Sequence, residues 1–172
     1  MKISVSMPRL TSDERSVMIA LFAEEAAAVL GLAKKAIKIS VNVRKTVLEA
    51  DTLGNCRNRG EAKAFTIVLG ADHDARTTLV TLAHELIHVE QAVAGKMAKW
   101  AAVTPAGTPW RELPWERDAL GRELEVAKAA ARGMVKATPQ IAKIPSFRFG
   151  GMATEIKRLA DAPFHADLSA VK

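Results

Sequence analysis

Residues 77 to 94, TTLVTLAHELIHVEQAVA, restrict the fold more than any other stretch. Wound as a helix at about 100° per residue, they gather Thr77, Thr81, His84, Glu85, His88 and Gln91 into one stripe. Leu79, Val80, Leu82, Ala83, Leu86, Ile87, Val89 and Val93 cover the remaining surface. An apolar majority with a single polar stripe is the reverse of a surface helix, so the rest of the chain has to cover it. Glu90 is the exception, projecting into the apolar side. A lone buried carboxylate is costly, so a lysine or arginine is expected beside it.

The polar stripe holds His84-Glu85-Leu86-Ile87-His88, an H-E-x-x-H pattern. Its two histidines lie about 40° apart, one turn above the other, where both imidazoles can reach one tetrahedral zinc ion. Glu85, beside them, is placed to act as a base toward a water activated there. A chain of this length meets the pattern by accident roughly once in a few hundred cases. Single core histidines are common. Two of only four, one turn apart around a glutamate, are not.

The chain has 172 residues, of which 49% are hydrophobic, enough for one globular domain with its own core. Its single cysteine, Cys56, excludes an intramolecular disulfide framework and fits a reducing compartment. Cys56 reads as a free structural thiol in a loop. MKISVSMPRL lacks the apolar core of a signal peptide, and Glu24 and Glu25 break the apolar run from Val17 to Leu32. A cytoplasmic protein without a membrane span is therefore expected. The net charge of +6 is spread along the chain without basic runs or interleaved aromatics, which favours a solvated surface over a nucleic-acid interface.

Residues 2 to 6, Ala36 to Val43 and Lys63 to Leu69 read as strands. A helix capped by Thr11 or Ser12 is expected to run to Gly31 between the first two. Residues 51 to 60, DTLGNCRNRG, read as a turn-rich loop. Asp72 or Asp74 caps the motif helix, which ends near Gly95. Residues 96 to 113 read as irregular. Pro114 then opens a helix that Gly133 is expected to stop. The segment 134–172 holds four of the chain's features that interrupt helices, Pro139, Pro145, Pro163 and Gly150-Gly151, and one short helix near Ala153 to Ala160. The expected architecture is α+β, a small twisted sheet packed on a few helices. Residues 1–133 form the domain, and 134–172 an extension packed on it.

A catalytic zinc site adds a third protein ligand and keeps one position for water. Glu112, Glu116, Asp118, Glu123 and His165 are the downstream candidates. Glu116 is preferred, because Pro114 and Trp115 place it in the first turn of a helix, whereas Glu112 lies in the loop before it. Asp118 or Glu123 can instead orient a histidine through its second ring nitrogen.

His84-Glu85-Leu86-Ile87-His88-Val89-Glu90-Gln91, followed by Leu113-Pro114-Trp115-Glu116-Arg117-Asp118-Ala119, resembles the small single-domain zincin metallopeptidases of the gluzincin type, including some encoded by bacteria and phages. The resemblance covers roughly residues 60 to 130. It implies a zincin-like fold, zinc held by His84, His88 and Glu116, Glu85 as general base, and peptide or protein substrates. Asp118 stands where that pattern usually has glutamate, a change that keeps the charge.

On this reading the strand from Phe65 to Leu69 is the edge that pairs with an extended substrate. The absence of tyrosine leaves His165, His73, Arg117 or Arg122 to stabilise an oxyanion. The competing expectation is a non-catalytic protein in which zinc staples two helices and the basic surface meets nucleic acid or a protein partner. The tail from residue 134, with His165 in it, is a candidate cover for the site.

Overall fold

The computed structural model describes residues 1–6, 13–44, 53–58, 63–143 and 151–163. The expected cap at Thr11 or Ser12, and His165, Pro145 and Gly150, fall outside them. Four strands, β1 (Lys2–Ser6), β2 (Lys38–Arg44), β3 (Gly54–Asn58) and β4 (Ala64–Gly70), form one sheet in the order β1-β2-β4-β3. β1, β2 and β4 run parallel, and β3 lies antiparallel to β4 at the edge. Among the described residues, five α-helices complete the α+β architecture: α1 (Asp13–Val29), α2 (Ala75–Val93), α3 (Lys96–Ala101), α4 (Pro114–Ala137) and α5 (Met152–Asp161).

Alternation along the strands decides which face meets the helices. Ile39, Val41 and Val43 of β2 are buried and stand in register with Phe65, Ile67 and Leu69 of β4. Gly54 and Cys56 of β3 continue those rows opposite Leu69 and Ile67, on the face that meets α2. Helices α1 and α2, in contact with each other, pack on the sheet, α4 packs on both, and α5 closes against α4. Met152, Ala153, Ile156 and Leu159 carry α5 into the common core. Each such side chain removed from water contributes about 1.5–3 kcal/mol when it is as large as leucine or isoleucine.

Helix α2 is buried on nearly every side, as its composition requires. The Asp74 carboxylate accepts a 2.7 Å hydrogen bond from the Thr77 amide and caps its start, and Gly95, at φ 70°, turns the chain out of its end. Glu90 finds two cations: Lys96 at 3.1 Å and Arg122 at 3.2 Å.

Three local expectations are corrected. Residues 54–58, read as part of a loop, form strand β3. GNCRN has neither alternation nor β-branched residues, and its backbone becomes a strand by pairing with β4. Lys96–Ala101, read as irregular, is a helical turn and a half. Gly133 does not stop α4, which continues to Ala137 and so runs through the expected boundary at 133–134. This glycine admits a neighbour instead: a methyl group there would collide with the Glu25 carboxylate of α1.

Candidate metal centre

The middle of α2 and the first turn of α4 meet at His84, His88 and Glu116. Pro114 at the start of α4 sets the helical backbone that carries Glu116 inward. The two Nε2 atoms lie 3.1 Å apart. Glu116 places Oε2 3.2 Å from His84 Nε2 and Oε1 3.4 Å from His88 Nε2. His84, Glu85, His88 and Glu116 are 8%, 5%, 8% and 7% exposed, so the cluster is buried without being sealed.

A group of two imidazoles and a carboxylate could hold a metal ion, and the geometry fits one. A tetrahedral ion about 2.1 Å from each donor separates those donors by about 3.4 Å, close to the edges of this triangle. The other ring nitrogens are already taken. His84 Nδ1 lies 2.8 Å from Glu123 Oε2, and His88 Nδ1 lies 2.8 Å from Gln91 Oε1. With Nδ1–H donating outward, each neutral ring turns the Nε2 lone pair to the centre.

Glu123 thus orients His84 directly. Asp118 acts one step further out, accepting from the Gln91 amide at 2.9 Å and from Arg122 at 2.8 Å. Its carboxyl is held below the usual range, because these hydrogen bonds and the Arg122 charge outweigh the effect of burial. Glu112 sits in a single exposed 3-10 turn before α4 and is not part of the donor group.

Concentrated charge displaces several proton affinities. Burial acts to lower His84, yet the Glu116 and Glu123 hydrogen bonds prevail and raise it to about 9. His88 rises too, with Glu116 and Gln91 overcoming burial. Burial acts to raise Glu116, but its two histidine partners bring it down to about 2. Glu85 goes the other way: burial pushes it up to about 7, assisted by Glu116 and Glu123 and opposed by His88 and His84. A carboxyl near 7 is suited to taking and returning a proton at neutral pH.

Glu85 is confined by β3. A methyl group at Gly54 would lie 2.8 Å from Glu85 Oε1 and 2.6 Å from Thr81 Cγ2. Reading 51–60 as a loop hid this contact, which emerges only when β3 is laid against α2. Cys56 shares that face, not a loop, and burial with the nearby Glu85 charge pushes its thiol up to about 12. It is a neutral thiol packed against the core, without nucleophilic character.

Of the residues considered for an oxyanion, His165 lies outside the described residues. His73 precedes α2, about 15 Å along the axis from His84. Arg122 is bound to Asp118 and Glu90, and Arg117 is exposed. β4 is not an edge strand, since β2 and β3 flank it. Among the described residues no helix is long and apolar enough to cross a membrane. No protein-family model, curated protein or solved structure matches the chain.

Proposed function

We propose that the protein is a zinc-dependent peptidase of zincin-like fold, with His84, His88 and Glu116 as the metal ligands and Glu85 as the general base. One observation carries this reading: three nitrogen and oxygen donors converge at zinc-like spacing with a carboxyl of neutral proton affinity beside them. When bound, zinc supplies a Lewis acid that acidifies water and polarises a carbonyl.

The chain's own residues supply the rest. Glu85 takes a proton from the attacking water and passes it to the amine that leaves when the peptide bond breaks. Glu123 and Gln91 hold the imidazoles as outward donors, so the histidines remain ligands and do not exchange protons with substrate. Of the two edge strands, β3 is the one that lies against Glu85, and an extended peptide can pair along its outer side, which has no strand partner among the described residues. Pairing there makes backbone recognition dominant and side-chain selectivity loose.

Glu85 also weighs against a purely structural zinc staple, which has no use for a base beside the ion. Proteolysis of casein by the purified chain, with and without a chelator, tests the proposal. Cleavage that stops on chelation, returns with zinc and is absent from zinc-loaded Glu85→Ala is the expected result. Cleavage that survives the substitution overturns the assignment of the base.

A further inference from the structure

Gln91 is fully buried, and every polar atom of its amide is engaged. The side-chain nitrogen donates to the Trp115 carbonyl and to Asp118 Oδ2, both at 2.9 Å. A carbonyl and an ionised carboxylate can only accept, so the NH2 must face them and the amide has one orientation. Its oxygen is left for His88, which must then carry its proton on Nδ1. Trp115 immediately precedes Glu116, and α4 begins without a side-chain cap. One side chain on α2 therefore grips a histidine of its own helix and the turn of α4 that bears the third donor.

We infer that Gln91 is a positioning residue that sets two metal ligands at once, His88 through its oxygen and Glu116 through its nitrogen. The inference rests on the metal-site reading above and concerns ion binding, not peptide cleavage. No other side chain of this reach does both. Glutamate keeps the acceptor for His88 but loses the donor to Trp115 and sets a second carboxylate against Asp118. Leucine keeps the bulk and neither bond. His84 is arranged differently, since the charged Glu123, two turns into α4, holds it without touching the Glu116 turn.

The two halves of this role separate in a double-mutant cycle of zinc affinity, measured on the full chain by competition with a chromophoric chelator. Gln91→Glu is expected to weaken zinc about 10- to 100-fold. In a Glu116→Ala background the same change should cost no more than about twofold, because the ligand it positions is already gone. Gln91→Leu should remain costly in both backgrounds, since His88 loses its anchor as well. The visible spectrum of the cobalt-loaded Gln91→Glu protein should shift toward that of Glu116→Ala, which a general loss of stability would not produce.

If Gln91→Glu does not fold, Asp118→Ala removes one of the two bonds of this brace from the α4 side and is expected to show the same dependence on Glu116 at a smaller size. Wild-type affinity in Gln91→Glu, or an equal cost in both backgrounds, overturns the inference and leaves the metal site standing. A wild-type chain that takes up no zinc overturns both.

Discussion

His84, His88 and Glu116 do different work from the residues that hold them, and substitutions should separate the two kinds. Gly54 is the sharpest case, because a methyl group there would press on Thr81 Cγ2 and on the Glu85 side chain. Gly54→Ala should displace the carboxyl while leaving the three donors alone. We expect zinc content close to wild type, a lower melting temperature because buried Thr81 must also give way, and a kcat lower by about a hundredfold, the scale of a misplaced catalytic group. Unchanged kcat would show that Glu85 is not confined by β3. The motif at 84–88 was legible because helical spacing alone brings its members together. Gln91 was legible as part of the polar stripe but not in its contacts, since two of its three partners lie on α4. Gly54 was hidden because nothing in GNCRN announces a strand.

Each of the two helices brings donors that the other lacks. α2 supplies both nitrogens from successive turns, and α4 supplies the carboxylate from a start fixed by Pro114 and braced by Gln91. Glu116→Ala should therefore weaken zinc strongly, and Glu112→Ala, in the exposed turn before α4, should not. Equilibrium dialysis against zinc decides this, and the opposite ranking would refute the ligand set. Propensity and capping located α2 and α4 because each has a distinct start, Asp74 and Pro114. They misplaced the end of α4, where Gly133 serves packing against Glu25 and not chain reversal. β3 was missed because an edge strand acquires its conformation from its neighbour. That error also put the expected peptide edge on β4, which is flanked on both sides.

Across the whole molecule, a proton and a metal held by this group would compete for one buried site. His84 is raised from 6.5 to about 9 in the folded chain, so its stabilising contribution is complete below about pH 6.5 and is lost as pH rises through about 9. Glu116 is lowered from 4.5 to about 2, so its contribution is present above about pH 4.5 and is lost as pH falls through about 2. The metal-free fold should therefore gain most from this pair between those limits.

Zinc requires the neutral ring. Its affinity should accordingly climb from pH 6 to about 9, with proton release seen by calorimetry in buffers of different ionisation enthalpy. Affinity independent of pH over that range would contradict the assignment. Added zinc should raise the melting temperature and a chelator should reverse it. The charge of +6 has no part in this account, and DNA binding beyond weak, salt-sensitive association is not expected.

X-ray absorption at the zinc edge tests the donor triangle most directly. One zinc per chain is predicted, with two imidazoles and oxygen donors at about 2.0–2.2 Å and no sulfur. Scattering from sulfur near 2.3 Å, or a shell without two imidazoles, would contradict an open hydrolytic centre built from His84, His88 and Glu116.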